Sequence, residues 1–209
     1  MIAGFFLIIL LGMFTNPFSV NDSGYRTHVQ QVTGKEFITF TPGIFYAGFW
    51  SKTTEYSDVV TVQFEREENK KNDISYFAPP TKCQFADGTY AEHVGFTVKW
   101  KLPNDEKAML NIHKDYRGGK RLAESLADYS KECAQYSFQL MDSERHYSGG
   151  KSELRDAFQY QLRNGQYIVD SKEVIRIDSL TGESKRFYEN KIRMNDKGKP
   201  ILSLSDVQT

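Results

Sequence analysis

Hydrophobic side chains are concentrated at the start of the chain, where no charged residue occurs in positions 1–21. A helix rises about 1.5 Å per residue, so a helix over these positions is roughly 30 Å long, about the thickness of a bilayer's hydrocarbon core. The pattern therefore predicts an N-terminal transmembrane helix and a single-pass membrane protein. The predicted membrane-anchor side chains are Phe5, Phe6, Leu7, Ile8, Ile9, Leu10, Leu11, Met13 and Phe14.

Two other interpretations of this run stay open. A cleaved signal peptide, which would make the remainder an exported binding or receptor domain, needs a basic region before the run and a small-x-small site after it. No Lys or Arg precedes the run, and Ser19-Val20-Asn21 matches such a site poorly. A buried core helix is disfavoured because the run is apolar on all sides and lies at the very terminus of the sequence. The anchor is the favoured interpretation.

After residue 21 the chain alternates between apolar and polar positions in short runs that are typical of strands. Residues 27–41 predict two strands joined near Gly34, and residues 58–64 predict another strand because they are rich in β-branched side chains. Between them, Pro42 and Gly43 predict a turn, since Pro fixes φ and Gly accepts a positive φ.

A second hairpin is predicted around Asp87 and Gly88. Its second strand is expected over residues 93–100, where apolar and more polar residues alternate. The apolar set, which lies on one face of such a strand, consists of Val94, Phe96, Val98 and Trp100. The alternation predicts that this face is buried and that the other face contacts water.

The hydrophobic period changes after Pro103, and residues 120–142 predict a long amphipathic helix. Such a helix either packs on the chain's own sheet or forms an oligomer seam with a second copy. Fewer than three heptads is short for a coiled coil, so packing on the sheet is favoured. The apolar stripe consists of Leu122, Leu126, Tyr129, Cys133, Tyr136 and Leu140.

A second helix is predicted over residues 151–164, with Gly165 as a typical C-terminal glycine. Residues 173–178 and 184–194 then predict a hairpin, and residues 199–209 alternate like the start of another strand. The sequence therefore predicts an anchor over residues 1–21, a domain over 22–170 and a β-hairpin extension over 171–209. We expect the native chain to continue beyond Thr209.

Charge and composition narrow the functional classes. Lys and Arg together number 27, as do Asp and Glu, so the net charge is zero and provides no attraction to nucleic acid. An aromatic content of 14%, much of it in the alternating stretches, favours a mixed or β-rich fold. Cys83 and Cys133 are too few for a disulfide scaffold or a metal cluster, and the sequence leaves open whether they pair.

No motif for catalysis is complete. Gly150-Lys151-Ser152 imitates the end of a phosphate-binding loop, but Arg145 occupies the position of its first glycine. The 4 histidines fall in separate segments without metal-ligand spacing. An enzyme that uses Cys83 with His93 as its base is a distant third hypothesis, because cysteine catalysis also needs an orienting residue. We expect no catalytic activity, no cofactor and no metal.

The order of these local motifs resembles the SPFH or band 7 superfamily, which includes stomatin, prohibitin, flotillin and bacterial regulators of membrane proteases. Residues 41–45, Thr-Pro-Gly-Ile-Phe, are similar to the family's Pro-Gly turn, and residues 85–88 are similar to the opening of its second hairpin. The strand from Val94 to Trp100 with the Leu-Pro pair at 102–103 is similar to the segment that follows. The resemblance covers roughly residues 29–167.

The chain also departs from the family. Phe49-Trp50 stands where Pro-Phe usually follows the Pro-Gly turn, and residues 173–194 look like an added hairpin. The long C-terminal helix through which family members assemble is absent from the sequence.

The resemblance implies an α+β fold, with an antiparallel-rich sheet and two packed helices behind the anchor. It further implies a membrane-anchored scaffold that self-associates into rings or cages and organises membrane or restrains a membrane-bound AAA+ protease. The expected partners are therefore membrane lipid, further copies of the chain and such a protease. The side of the membrane stays open, because Arg26 and Lys35 favour the cytoplasm, whereas the family's protease regulators lie outside it.

Overall fold

A computed structural model describes residues 17–67, 75–177, 184–197 and 200–203. Within these ranges the chain forms β-sheets and three helices longer than one turn, which confirms the predicted α+β class. The described residues divide into two compact units. Unit 1 holds those within 1–61, 73–76 and 99–124, and unit 2 holds the others. The predicted domain boundaries at residues 21 and 170 stay predictions.

The strands of the described ranges are β1 (Phe18–Asn21), β2 (Tyr25–Gln30), β3 (Glu36–Thr39), β4 (Gly43–Tyr46), β5 (Lys52–Ser57), β6 (Val59–Phe64), β7 (Tyr76–Ala78), β8 (Thr81–Gln84), β9 (Tyr90–Val94), β10 (Phe96–Lys101), β11 (Gln166–Tyr167), β12 (Val169–Ile177), β13 (Ser184–Ile192) and β14 (Leu202–Ser203). The helices are α1 (Glu106–Tyr116), α2 (Gly119–Phe138) and α3 (Lys151–Asn164). A short helical turn at Ser143–Arg145 and a π-helical turn at His146–Gly150 precede α3.

Strand β2 is the centre of an antiparallel sheet in unit 1 with the order β3-β2-β5. The turn between β2 and β3 contains Gly34 at a φ of 83°, as the sequence predicted. Strand β5 was not predicted, because its residues Lys-Thr-Thr-Glu-Tyr-Ser show no apolar alternation. Residues 26–29 of β2 are all buried although three of them are polar. Because both faces of the strand are covered, these polar side chains need hydrogen-bond partners inside the protein.

Strands β1 and β4 supply the partners on one face. Asn21 at the end of β1 is buried; its Oδ1 accepts a hydrogen bond from Thr27 at 2.9 Å, and its Nδ2 donates to the Thr41 carbonyl at 3.1 Å. Strand β1 pairs antiparallel with β4 from Phe18↔Tyr46 to Asn21↔Gly43.

The predicted anchor helix over residues 1–21 is therefore wrong for its last residues. Residues 18–21 alternate between exposed and more buried side chains, and their backbone pairs with β4, so they form a strand. Residues 1–16 lie outside the described ranges. None of the helices within those ranges combines the length and apolar character needed to span a bilayer.

Helix α1 covers the other face of β2. Its N-cap is Asp105, whose carboxylate accepts a hydrogen bond from the Ala108 N–H at 2.8 Å. Two residues along a strand span about 7 Å and four residues along a helix about 6 Å. Arg26 and His28 of β2 can therefore meet Met109 and His113 of α1 in register. Arg26 Nη1 lies 3.8 Å from the Met109 sulfur.

The strand predicted over residues 93–100 is two strands. Strand β9 ends at Val94 and pairs with β8, whereas β10 begins at Phe96 and belongs to another sheet. Gly95 lies at the break, where a Cβ would come within 2.7 Å of the Glu65 carboxylate. The predicted alternation holds within β10, where Phe96, Val98 and Trp100 are half-buried and the residues between them are exposed.

Helices α2 and α3 match the predicted helices, although α2 ends four residues before the predicted position 142. Gly149 at φ 127° marks the predicted break, and Gly165 at φ 114° follows α3. The predicted stripe of α2 faces the interior of the chain. Leu122, Leu126, Tyr129 and Cys133 are buried, and Tyr136 and Leu140 are half-buried.

A buried amide joins α2, α3 and β11 within unit 2. Gln161 has no exposed surface, and its Nε2 donates to the Cys133 carbonyl at 3.1 Å and to Ser137 Oγ at 2.8 Å. Its Oε1 accepts the Tyr167 N–H at 3.2 Å. The side chain, carried by α3, therefore satisfies groups on both α2 and β11.

Strands β12 and β13 form the predicted C-terminal hairpin, paired antiparallel from Val169↔Ile192 to Ile177↔Ser184. Its predicted turn at residues 180–182 lies outside the described residues. The last described strand, β14, pairs with β11 through Tyr167↔Leu202.

We expect Gln161→Leu to lower the free energy of unfolding by about 2–3 kcal/mol, because it removes three hydrogen bonds and leaves the Tyr167 N–H buried without a partner. Urea unfolding measures the change. Gln159→Leu on the exposed side of the same helix is the control and should change stability by less than about 0.5 kcal/mol. Equal effects of the two substitutions would contradict the role assigned to Gln161.

Candidate functional site

Two histidines of unit 1 lie face to face between the central strand and α1. The ring centroids of His28 and His113 are 3.4 Å apart and their planes differ by 14°. His28 shares a face of β2 with Arg26, and His113 lies one helical turn after Met109. The register that brings Arg26 to Met109 therefore also brings the two imidazoles together.

The two rings differ in their hydrogen bonds. Nδ1 of His113 lies 2.8 Å from the phenol oxygen of Tyr56, a buried residue of β5. Burial raises the pKa of Tyr56 to about 12, so the phenol keeps its proton. The phenol oxygen and Nδ1 share one hydrogen bond, whose direction is set by the His113 tautomer.

Nε2 of His28 is buried and has no hydrogen-bond partner among the described residues. The nearest carboxylate oxygen, Oε2 of Glu36, is 3.9 Å away, which is too far for a hydrogen bond. A buried polar atom without a partner costs roughly 1–3 kcal/mol. This cost singles out His28 as a candidate functional group.

Both imidazoles have lowered pKa values. Burial is the main cause for His28; the neighbouring His113 lowers the pKa further and Glu36 partly opposes the shift. For His113, burial lowers the pKa, Glu36 raises it and Arg117 lowers it. Both rings are therefore neutral at pH 7, and a negative charge placed near them would favour their protonated forms.

The histidine pair lines a pocket of about 580 Å³, a volume in the range of small-molecule sites. Three cationic side chains and one carboxylate share it, so the pocket is electropositive. These four are Lys52, Lys114, Arg117 and Glu36, and the neutral polar residues Gln30 and Thr54 complete the lining. In the part of the chain that the structure describes, no group of three or more His, Cys, Asp or Glu side chains is arranged to hold a metal ion. The chemistry that the pocket favours is the binding of a small anion.

The residues singled out from the sequence lie elsewhere. The predicted anchor side chains between Phe5 and Phe14 are outside the described residues. Pro42 and Gly43 lead into β4, with Gly43 at φ 126°. Gly88, at φ 83°, lies with Asp87 in the turn of the β8–β9 hairpin.

Asp87 ties this hairpin turn to the helical turn that begins at Ser143. Its carboxylate accepts the Thr89 N–H at 2.9 Å and the Ser143 N–H at 2.8 Å. Although burial raises the pKa of Asp87, these and related hydrogen bonds lower it overall. The observed contacts of this motif are those of a structural turn.

Cys83 and Cys133 are both buried, and neither forms a disulfide. Burial is the main cause that raises the pKa of each thiol to about 12, so the nucleophilic thiolate is disfavoured. Cys83 packs with Phe85 and Phe138, whereas the proposed base His93 is exposed. These environments give no support to a Cys83–His93 dyad.

The histidine pair itself was missed from the sequence. His28 and His113 are far apart in the chain and only the strand–helix register brings them together. One local signal was present, namely a histidine in the middle of a predicted strand. A polar side chain at such a position is buried when the strand is central.

No family model matches this chain, and no curated protein matches it. The SPFH resemblance therefore rests on the sequence motifs and stays a prediction.

We expect the free energy of unfolding to fall as the pH drops below about 6.5, the ordinary pKa of histidine. The folded-state pKa values of His28 and His113 are lowered, so the unfolded chain binds more protons in this window and acid favours it. The stability is fully present above pH 6.5 and is lost as the pH falls toward the folded-state values. Urea unfolding of the full chain in neutral micelles between pH 7.5 and 5.5 measures the slope.

Replacing both histidines, His28→Gln with His113→Gln, should flatten this slope. His93→Gln is the matched control, because His93 is exposed, and it should leave the slope unchanged. His146, whose pKa is also lowered by burial, contributes the slope that stays in the double variant. A double variant with the parent slope would contradict the assignment.

Proposed function

We propose that this chain is a membrane-anchored, self-associating scaffold of the SPFH type, which organises membrane or restrains a membrane-bound AAA+ protease. The single observation that carries the proposal is an exposed apolar surface on unit 1, which begins with the last residues of the uncharged N-terminal run. This surface, the apolar face, is made of Phe18, Val20, Ile44, Tyr46, Phe49 and Trp50, which are between 48% and 78% exposed.

Strand pairing builds this apolar face. The register aligns Phe18 with Tyr46 and Val20 with Ile44, so alternate residues of both strands point to the same side. The rings of Phe18 and Tyr46 meet edge to face with centroids 5.8 Å apart. Four large side chains thus form one continuous patch, and such patches mark interaction sites in soluble and membrane-bound proteins alike.

The bilayer is the occupant that the chain order favours. The Pro17 carbonyl accepts hydrogen bonds from the N–H groups of Ala47 and Gly48, at 2.8 and 3.1 Å. These bonds hold the end of the N-terminal run beside the segment that leads to Phe49 and Trp50. Tyr and Trp are enriched at membrane–water interfaces, where an apolar ring body and a polar edge are both satisfied. An anchor through residues 1–16 would bring the apolar face to the headgroup layer.

The C-terminal hairpin supports the self-association in this proposal. Strands β12 and β13 form a two-stranded sheet, so within the described ranges each has one edge without a strand partner. A long unpaired edge is a template for pairing with another chain, and an isolated two-stranded sheet is only marginally stable. Lateral pairing of hairpins from neighbouring copies in one membrane would satisfy both constraints.

We expect Trp50 to lie at bilayer depth. The chain has 2 tryptophans, so Trp100→Phe leaves Trp50 as the single reporter. In vesicles that have been washed with alkaline carbonate to remove peripheral protein, lipids brominated on their acyl chains should quench Trp50 fluorescence strongly. The reciprocal variant Trp50→Phe, which reports on the half-buried Trp100, is the control and should be quenched much less. Equal quenching of both variants, or loss of the protein in the wash, would overturn the membrane assignment.

We expect full-length protein in vesicles to cross-link into assemblies larger than a dimer, and Ile175→Lys to reduce them. Ile175 is a 63% exposed apolar side chain of β12, and a lysine on an edge strand opposes pairing. Tyr147→Lys, at the exposed π-helical turn, is the control. Assemblies of unchanged size in Ile175→Lys would exclude the hairpin as the contact.

A further inference from the structure

We propose that the electropositive pocket of unit 1 binds a phosphate group, held by Lys52, Lys114 and Arg117. The inference rests on the proposed membrane function in one respect: it names the phosphate of a lipid headgroup as the source that the location of the pocket favours. Phosphate binding by the pocket is a separate claim, which free phosphate also tests.

The lining of the pocket has an excess of positive charge. The cations come from two elements, since Lys52 begins β5 and Lys114 and Arg117 lie at the end of α1. Glu36 is the one carboxylate in the lining, so a doubly charged anion offsets the excess of positive charge. Lys and Arg are the side chains that bind phosphate through charge-assisted hydrogen bonds.

The histidine pair supplies an independent observation. Nε2 of His28 is buried, has no hydrogen-bond partner among the described residues and belongs to a ring that lines the pocket. Each imidazole that takes up a proton gains a donor and a positive charge. An anion between the cations therefore favours proton uptake by the pair.

Charged and titratable groups face the pair from each neighbouring element. Strand β3 contributes Glu36, β5 contributes Lys52 and Tyr56, and α1 contributes Lys114 and Arg117. Arg117 opposes protonation of His113, and Glu36 favours protonation of both rings. A bound anion adds a second negative charge beside the rings and offsets Arg117, so binding and proton uptake reinforce each other.

The location of the pocket favours a lipid headgroup. Lys52 pairs with Gln30 in the sheet and follows Trp50 of the apolar face by two residues, a span of about 7 Å. Gln31, next to Gln30, donates through its Nε2 to the Ala47 carbonyl at 3.1 Å, beside the backbone that Pro17 holds. One end of the pocket therefore lies next to the surface that we assign to the bilayer.

The test uses full-length protein in neutral detergent micelles and isothermal titration with dihexanoyl phosphatidic acid. This probe should bind. Dihexanoyl phosphatidylcholine has the same tails, but choline masks its phosphate, so it should bind at least about tenfold more weakly. Replacing two lining cations, Lys52→Gln with Lys114→Gln, should weaken binding of the acid by about tenfold or more. Lys107→Gln, also exposed on α1 but outside the pocket, is the matched control and should leave the affinity unchanged.

Inorganic phosphate is the second arm and distinguishes the sources. If inorganic phosphate binds more weakly than phosphatidic acid, the result supports a lipid headgroup as the ligand. If the two affinities are equal, the pocket is still a phosphate site, but the lipid source is overturned. The pocket assignment is overturned if neither probe binds. It is also overturned if the double variant Lys52→Gln with Lys114→Gln binds the probes as tightly as the parent protein does. Trp50 quenching is measured without phosphatidic acid, in vesicles of zwitterionic lipid, so the membrane assignment stands or falls separately.

Sulfate tests the histidines, because its charge does not change between pH 6 and 7.5. It should bind more tightly at pH 6, and His113→Gln should reduce this pH dependence. His93→Gln should retain it. A parent protein whose sulfate affinity is the same at both pH values would exclude the histidine pair from binding.

Discussion

The buried guanidinium of Arg26 is the interaction on which the organisation of unit 1 depends. Arg26 is only 2% exposed, and a charge in that position is tolerated only when it is paired and hydrogen-bonded. Its Nε donates to Asp58 at 2.9 Å, its Nη2 to the Asn104 side chain at 2.6 Å, and its Nη1 to the Pro103 carbonyl. One side chain therefore ties the central strand to the segment that starts α1 and to the junction of β5 and β6.

The position of the candidate site follows from that tie. Once the start of α1 is fixed over Arg26, the next turns of the helix must run along β2. Met109 then lies over the guanidinium and His113 stacks on His28. A lysine at position 26 would lack the planar fork that reaches three groups at once. The histidine pair thus depends on a charge that lies outside the pocket.

Features set by short sequence signals were predictable. Gly34 and Gly165 mark boundaries by local backbone chemistry, and the strands and the helix beside them were found within a few residues. Helix α1, which follows the Asp105 N-cap, was not predicted as a separate helix. The predicted strand over residues 93–100 failed because β9 and β10 pair in different sheets, and alternation within one segment does not reveal its strand partners. The end of the predicted anchor helix failed similarly, since the partner that makes residues 18–21 a strand is β4, far along the chain. The candidate site was missed for the same reason, because every contact that defines it joins separate segments.

The order of segments in unit 1 also sets the order in which it can form during synthesis. Its sheet is built from residues within 17–61, whereas α1 follows only after all of β6 to β10 has been made. At roughly 5–20 residues per second, the interval between β5 and the end of α1 is about 3–12 s. During that time Arg26 and His28 of β2 are not yet covered by α1. If residues 1–16 enter a membrane as they emerge, the bilayer shields the apolar face while the nascent chain is still incomplete. The pocket is completed only when the end of α1 has been made, because His113, Lys114 and Arg117 supply one side of it and the sheet supplies the other.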